Sequence, residues 1–166
     1  MKGLPLSWRN GSLFLRENNM TADKPVIGVA GAGAMGSGIA QVAAMAGHSV
    51  VLYDTQESAL KKAVAGLSSG LSKLVEKGKL PSGEDAKVMS RIQSTADLNS
   101  FAGCKLVIEA VVERLDVKQQ LFAALESIVS EDALLATNTS SLPVVAIASA
   151  CKRRERVAGI HFFNPA

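Results

Sequence analysis

Short apolar runs alternate with longer stretches of helical periodicity from Pro25 to the end of the chain. The runs are four to six residues long and rich in Val, Ile and Leu, as is typical of strands that are buried on both faces of a parallel sheet. They predict strands over residues 26–30, 49–53, 105–110, 134–137 and 157–162, and residues 92–95 are a further candidate for a short strand.

The segments between these runs have the spacing of helices. Apolar residues recur at every third or fourth position in the longer segments, which indicates helices with one buried face. Proline is favoured at a first helical position and predicts one further short helix. The predicted helices cover residues 31–47, 56–78 and 117–129, and the short one begins at Pro143. The buried face predicted for the first helix consists of Ile39, Val42, Ala43 and Ala46.

Strands separated by helices indicate an α/β fold: a doubly wound parallel sheet of the Rossmann type with helices on both faces. The chain has 166 residues, of which 48% are hydrophobic and 20% charged, so it can bury one core of ordinary size. A sheet of this kind binds ligands beyond the carboxyl ends of its strands, where the strand order reverses. Residues immediately after the predicted strands are therefore the candidates for a binding site.

The charge pattern argues against a nucleic-acid interface. The net charge is only +3, and the basic run 152–154 has no interleaved aromatic residues on which bases could stack. No stretch approaches 18 consecutive apolar residues, so no membrane span is expected. The two cysteines, Cys104 and Cys151, form no CxxC pair, which favours a reducing compartment, and no metal site is expected.

Residues 1–24 differ in composition from the rest of the chain. They contain Lys2, Arg9 and Arg16 but no apolar core of a secretory signal. We interpret them as an N-terminal extension, disordered or preceding a more natural start at Met20, on a cytoplasmic protein. The positive charges leave open a mitochondrial presequence and hence the mitochondrial matrix, although Glu17 argues against that alternative.

Gly31, Gly33 and Gly36 form a G-x-G-x-x-G motif between the first predicted strand and the first helix. The first glycine permits a tight turn, the second lets a pyrophosphate approach the backbone, and the third lets helix and strand pack closely. The free amides at the start of the helix can then hold the anion. The motif alone is weak evidence, but its position between a strand and a helix predicts a dinucleotide site.

Asp54 follows the second strand, eighteen residues after Gly36. A carboxylate at this position accepts hydrogen bonds from the adenosine ribose and repels a 2′-phosphate. No arginine occurs among residues 55–57, so the pattern favours NAD over NADP. The alternative is a glycine-rich turn with a solvent-facing aspartate.

Polar residues follow each of the later strands, where a parallel sheet places its site. The alternative for Ser140 and Ser141 is helix capping ahead of Pro143, and the alternative for His161 is a histidine packed in the core. His48 lies in a turn near the opposite edge and is interpreted as structural. The polar residues at these strand ends are Glu109, Glu113, Asn138, Thr139, Ser140, Ser141, His161 and Asn164.

From residue 24 to residue 166 the chain resembles the NAD-binding domain of the 3-hydroxyacyl-CoA dehydrogenases. Four ordered stretches carry the resemblance: GAGAMGSGIAQVAAMAGHSVVLYD, LVIEAVVERLDVKQQLF, TNTSSLPV and GIHFFNPA. The KGKL stretch at 77–80 is similar to bacterial members that act on 3-hydroxybutyryl-CoA or 3-hydroxyadipyl-CoA. The resemblance divides the chain into the extension 1–24 and an NAD-binding domain over 25–166.

The resemblance implies NAD-dependent oxidation of (S)-3-hydroxyacyl-CoA to 3-oxoacyl-CoA. His161 corresponds to the general base that removes the proton of the 3-hydroxyl group, and Ser140 to the serine that binds the substrate oxygen. Glu113 and Lys118 correspond to residues near the cofactor and the CoA side, and Asn164 to the asparagine beside the histidine. The predicted cofactor-binding residues are Gly31, Gly33, Ala34, Met35, Gly36, Asp54, Glu113, Lys118, Asn138 and Asn164.

The chain departs from the family pattern after His161. In the family a glutamate about a dozen residues further on orients the histidine, and a helical C-terminal domain completes the cleft and the dimer. Both are absent before Ala166, so we expect a cofactor domain with little or no activity alone, and a homo-oligomer formed through the missing domain. The alternatives are another β-hydroxyacid dehydrogenase and a non-catalytic, crystallin-like relative.

Overall fold

A six-stranded parallel sheet organises the computed structural model, which describes residues 8–9, 12–13 and 24–163. Most of the predicted extension 1–24 therefore lies outside the described residues, as does Asn164. The strands are β1 (Trp8–Arg9), β2 (Ser12–Leu13), β3 (Ile27–Ala30), β4 (Val50–Tyr53), β5 (Ile92–Thr95), β6 (Leu106–Glu109), β7 (Leu134–Thr137) and β8 (Val157–Gly159). The helices are α1 (Ala34–Met45), α2 (Glu57–Glu76), α3 (Glu84–Ser90), α4 (Leu115–Ile128) and α5 (Val144–Ala148).

The strand order is β5-β4-β3-β6-β7-β8, and every pair in this sheet is parallel. The order reverses between β3 and β6, where Ala30 is in register with Glu109. The chain therefore leaves β3 and β6 in opposite directions across the sheet and opens a crevice at their carboxyl ends. The prediction of a doubly wound α/β fold is confirmed. Strands β1 and β2 form a separate antiparallel pair.

The inner strands β4, β3, β6 and β7 are buried on both faces, which explains why they are continuous apolar runs, whereas the edge strands β5 and β8 are largely exposed or half-buried. Val29, Leu52 and Ile108 point to one face and pack with Ile39 of α1 and with the buried side of α2. Alternate residues point to the other face, where α4, α5 and a 3₁₀ helix over Leu98–Gly103 cover them. The main side chains of this second layer are Val51, Phe101, Val107, Phe122, Leu125, Leu135 and Ile147.

The predicted inner face of α1 is wrong in part. Val42 is 44% exposed and Ala46 is also exposed, whereas Ala40 and Ala44 are buried together with Ile39. Small residues face the sheet because close packing of α1 on the strands leaves little room, and hydrophobicity alone ranks valine above alanine. Helix α3 and the 3₁₀ helix were missed because they have only seven and six residues, too few to show a helical period.

The last strand ends earlier than predicted. Strand β8 stops at Gly159, and the N–H of Ile160 makes a final bond to the Thr137 carbonyl at 3.0 Å. The N–H of Phe162 then donates to the Asn138 side chain (2.8 Å) instead of to a strand. The predicted strand 157–162 is therefore too long, and His161 lies in the loop beyond it. Among the described residues, no helix has the length and apolarity needed to cross a membrane.

Candidate functional site

The glycine motif makes the tight turn that joins β3 to α1. Gly31 has a φ of 108°, in the left-handed region that favours glycine, and a Cβ there would lie 2.5 Å from the Ala110 carbonyl oxygen. A Cβ on Gly36 would lie 1.8 Å from the Gly31 carbonyl oxygen. Both positions therefore need glycine so that the loop can close against the strands and the helix.

Gly33 differs from the other two glycines of the motif. It is exposed, and a Cβ there would meet no atom within 4 Å, so it faces open space beside the helix N-terminus. The first bond of the helix runs from the Ser37 N–H to the Gly33 carbonyl (2.9 Å), so the preceding N–H groups of Ala34 and Met35 have no acceptor within the helix. A pyrophosphate fits this cradle, which a side chain at residue 33 would fill.

Asp54 is anchored against the glycine loop. Its Oδ2 atom accepts the Ala32 N–H at 2.9 Å, and its Oδ1 atom accepts the Gln56 N–H at the same distance. Asp54 is therefore half-buried and fixed by two backbone N–H groups. Ala32 and Gly33 also line a groove of about 570 Å³ between α1 and α2. The structure therefore places a fixed carboxylate beside the N-terminus of α1.

A second cavity, of about 400 Å³, lies at the carboxyl ends of β6, β7 and β8. Its position at the reversal of strand order is where a sheet of this type binds the reacting part of a ligand. Five predicted site residues line it: Met35, Glu113, Asn138, Ser140 and His161. The structure thus brings residues from the glycine motif and from three later strand ends to one cavity.

Ser140 and His161 are in direct contact within this cavity. The Ser140 Oγ atom lies 3.0 Å from the His161 Nε2 atom. His161 is exposed, so the alternative of a histidine packed in the core is wrong. Its ring meets Phe163 edge to face, with centroids 5.0 Å apart. His48, by contrast, binds the Pro25 carbonyl through Nδ1 at 2.9 Å at the opposite edge, in agreement with a structural role.

The serines do not cap α5. That helix has no side-chain cap, and Pro143 occupies its N-cap position. Thr139, Ser140 and Ser141, which we call the serine loop, instead converge on Glu113. The Glu113 Oε1 atom accepts the Thr139 hydroxyl, the N–H groups of both serines at 3.2 and 3.3 Å, and the Ser141 hydroxyl at 3.2 Å. Helix capping as the role of the serines is therefore wrong.

The ionisation of Glu113 follows from these contacts. Partial desolvation alone would raise the pKa of its carboxyl group. The hydrogen bonds from Thr139, Lys118 and Ser141, together with the Lys118 charge, outweigh that effect and lower the pKa to about 2. Glu113 is consequently a carboxylate throughout the neutral range and fixes the serine loop as an acceptor.

Lys118 lies behind the cavity and does not line it. Its side chain is 1% exposed, and its Nζ atom lies 2.6 Å from Glu109 Oε1 and 3.1 Å from Glu113 Oε2. Glu109 is fully buried and also accepts the Val111 N–H at 2.7 Å and the Thr137 hydroxyl at 2.6 Å. Glu109 is one of the polar strand-end residues predicted from the sequence, where a lone carboxylate ends an apolar strand, whereas the sequence indicates no role for Thr137.

The comparisons with known proteins identify the family. Residues 26–166 match the model described as "3-hydroxyacyl-CoA dehydrogenase, NAD binding domain". The chain belongs to this family. Both the resemblance carried by the sequence motifs and the prediction of NAD as cofactor are confirmed. Among the described residues, no group of three or more His, Cys, Asp or Glu side chains could hold a metal ion.

Several members of the 3-hydroxyacyl-CoA dehydrogenase family are close in sequence. The chain is 45% identical over 147 residues to 3-hydroxyadipyl-CoA dehydrogenase of Escherichia coli K12, covering 89% of this chain and 31% of the relative. It is 43% identical over 139 residues to 3-hydroxybutyryl-CoA dehydrogenase of Clostridioides difficile, covering 84% of this chain and 50% of the relative.

A solved family structure has the same fold. The crystal structure of 3-hydroxybutyryl-CoA dehydrogenase from Escherichia coli K12 superimposes with a TM-score of 0.84 at 46% identity, covering 86% of this chain and 30% of that one. The chain thus spans between about a third and a half of the length of these family members.

Proposed function

We propose that the polypeptide encoded by the whole gene oxidises (S)-3-hydroxyacyl-CoA to 3-oxoacyl-CoA with NAD, and that residues 25–166 form its cofactor-binding domain. The observation that carries this proposal is the 3.0 Å contact between Ser140 Oγ and His161 Nε2, beside the glycine-loop helix. Acyl-CoA specificity is taken from the relatives, two of which are named as acting on 3-hydroxyadipyl-CoA and 3-hydroxybutyryl-CoA.

The proposed chemistry assigns separate roles to the two residues in contact. His161 accepts the proton of the substrate 3-hydroxyl group at Nε2, since an imidazole nitrogen with a free lone pair can act as a general base. Ser140 donates its hydroxyl hydrogen bond to the same substrate oxygen and keeps it beside the imidazole. NAD supplies the hydride-acceptor chemistry when bound. The exposure of both side chains supports this assignment, because a substrate can reach them from the cavity.

We assign cofactor binding to two groups of residues. The amides of Ala34 and Met35 and the open space at Gly33 suit the pyrophosphate, and Asp54 suits the adenosine ribose. Glu113 and Asn138 line the cavity together with Met35, which supports a position near the nicotinamide. Gly31 and Gly36 contribute by letting the loop close. We also propose that Asn164 contacts the cofactor, as the family resemblance implies.

The exposed apolar surface near the cavity supports a homo-oligomer. Phe163, which lines the cavity, is 77% exposed, and large apolar side chains beside a binding cavity tend to be covered by a partner. We propose that a second copy of the protein covers this side chain. Cys104 and Cys151 are free and buried, which fits the reducing environment of the cytoplasm or the mitochondrial matrix.

NADH formation by the whole gene product tests the proposed activity. With (S)-3-hydroxybutyryl-CoA and NAD, absorbance at the NADH band should rise, and free 3-hydroxybutyrate should give no comparable rate. Equal rates with the free acid would instead identify another β-hydroxyacid dehydrogenase. A protein that binds NAD but oxidises no acyl-CoA substrate would be a non-catalytic relative, and the proposal would be wrong.

A further inference from the structure

A continuous chain of polar contacts runs from the buried end of β6 to the exposed His161. Glu109 contacts Lys118, Lys118 contacts Glu113, Glu113 holds the serine loop, and Ser140 contacts His161. The chain crosses the carboxyl ends of three neighbouring strands, β6, β7 and β8. Its first two members do not line the cavity, so they reach the site only through other side chains.

Both carboxylate oxygens of Glu109 accept hydrogen bonds. Its Oε1 atom accepts the Lys118 ammonium and the Val111 N–H, and its Oε2 atom accepts the Thr137 hydroxyl, all within 2.7 Å. The carboxylate is 0% exposed and Lys118 is 1% exposed, so solvent neither screens this pair nor competes for its hydrogen bonds. Glu109 therefore fixes where the ammonium group of Lys118 stands.

The position of Lys118 determines in turn which carboxylate oxygen of Glu113 is free to accept hydrogen bonds from the serine loop. The Glu113 Oε2 atom pairs with the Lys118 ammonium group at 3.1 Å, and this leaves Oε1 as the common acceptor for the serine loop. A carboxylate has limited freedom once one oxygen is fixed by a charge-assisted bond. Any displacement of Lys118 should therefore move the acceptor on which Ser140 depends.

We propose that Glu109 is a positioning residue, which acts through Lys118 and Glu113 to hold Ser140 against His161. The effect on turnover rests on the proposed function, whereas the effect on the serine loop does not. On this account Lys118, which the resemblance places near the cofactor, supports the site from behind the cavity.

Two variants separate positioning from general stability. Glu109→Gln keeps the side-chain shape but removes the charge. At least one of the three donors then faces the amide NH2 group, which cannot accept a hydrogen bond. Thr137→Val keeps the shape of residue 137 and removes one hydrogen bond to Glu109 without changing any charge. The matched control is Asp132→Asn, which breaks the exposed pair of Lys105 with Asp132 at the opposite, amino ends of β6 and β7.

Amide hydrogen exchange of this chain by NMR gives the first readout. In Glu109→Gln the N–H groups of Ser140 and Ser141 should exchange about tenfold faster, the loss expected when a hydrogen bond to a charged acceptor weakens. Thr137→Val should change them in the same direction by less, and Asp132→Asn should leave them unchanged. The imidazole nitrogen shifts of His161 should move while those of His48, the other histidine in the chain, stay in place.

Kinetics of the whole gene product give the second readout. Glu109→Gln should lower kcat by about 10- to 100-fold with little change in KM, because a small misplacement of catalytic groups affects the transition state more than binding. If the parent oxidises no acyl-CoA substrate, the proposed function fails, but the exchange measurement still decides whether Glu109 positions the serine loop.

If both variants fold and keep the parent's exchange rates at Ser140 and Ser141, Glu109 does not position the serine loop and the inference is overturned. If Glu109→Gln does not fold, Thr137→Val alone decides in the same way.

Discussion

The Nε2 atom of His161 lies 3.0 Å from the Oγ atom of Ser140, although 21 residues separate them in the chain. The contact forms because β7 and β8 are parallel neighbours, so the loops after them meet at one edge of the sheet. The Asn138 side chain adds a second tie between the same loops by accepting the Phe162 N–H at 2.8 Å. The fold thereby brings the proposed proton acceptor to the residue proposed to hold the substrate oxygen.

Gly33 and Gly36 should fail in different ways when replaced by alanine. Gly36→Ala places a Cβ 1.8 Å from a backbone oxygen, so the chain must shift and should lose about 3 kcal/mol of stability, or roughly 10 °C in Tm. Gly33→Ala meets no atom within 4 Å and should leave Tm within about 3 °C. Its NAD affinity should nevertheless fall by at least about tenfold, because the methyl group enters the anion cradle.

Gly70→Ala is the matched control for these two variants. Gly70 lies inside α2, and a Cβ there would meet no atom within 4 Å, so alanine should stabilise the chain by about 0.5–1 kcal/mol. Its NAD affinity should equal that of the parent. Calorimetric titration and thermal unfolding of all three variants check both effects. If the Gly33→Ala variant binds NAD as tightly as the parent, the pyrophosphate does not bind at this loop.

Asp54→Ala should weaken NAD binding by about 1.5–3 kcal/mol, because a charged acceptor for the ribose hydroxyls is lost. Asp54 also fixes the Ala32 N–H, so part of the loss comes from a looser glycine loop. Measuring Kd for NAD and for NADP separates the two causes. A ribose contact predicts that the preference for NAD narrows, whereas an effect on the loop alone weakens both cofactors by the same factor.

The low pKa of Glu113 predicts a pH-dependent contribution to stability. Because its pKa falls from 4.5 to about 2 on folding, the contribution is complete above about pH 4.5 and is lost as the pH falls towards 2. The side chain is 39% exposed, so solvent screening limits the contribution to about 1 kcal/mol, or roughly 3 °C in Tm. Glu113→Gln should melt earlier than the parent at pH 6, and the two curves should converge near pH 2.5. A constant difference across that range would contradict this role for Glu113.

The inner strands could be predicted because burial on both faces makes each one a continuous apolar run. The strands over 92–95 and 134–137 have the predicted limits. Helix α3 could not be predicted, because seven residues cover barely two helical turns and give no period. The end of β8 also escaped prediction, since the Asn138 side chain replaces the ladder partner of Phe162 and nothing local to residues 157–162 indicates this.

The site residues that directly follow neighbouring strands could be predicted, because parallel strands end at the same edge of the sheet. Ser140 and His161 follow neighbouring strands, so their shared edge follows from the strand order alone. The role of Lys118 was not predictable, because its burial depends on Glu109 nine residues earlier and on Thr137 across the sheet. Sequence spacing gives the edge on which a side chain lies but not the donors that meet it there.

The central claim is that His161 accepts the substrate proton in the whole gene product. His161→Gln should lower kcat by about 10²- to 10⁴-fold, or about 3–5 kcal/mol of barrier, because a general base is lost. The Kd for NAD should change little, since the glycine loop and Asp54 are untouched. Tm should also stay near that of the parent, because His161 is exposed.

Measuring kcat and Tm on the same His161→Gln variant tests this claim most directly. The account predicts a folded protein with the parent's Tm, the parent's affinity for NAD and a turnover number lower by at least about a hundredfold. A variant that melts early while its folded fraction oxidises (S)-3-hydroxybutyryl-CoA at the parent's rate would contradict it, because His161 would then support the fold and another group would take the proton.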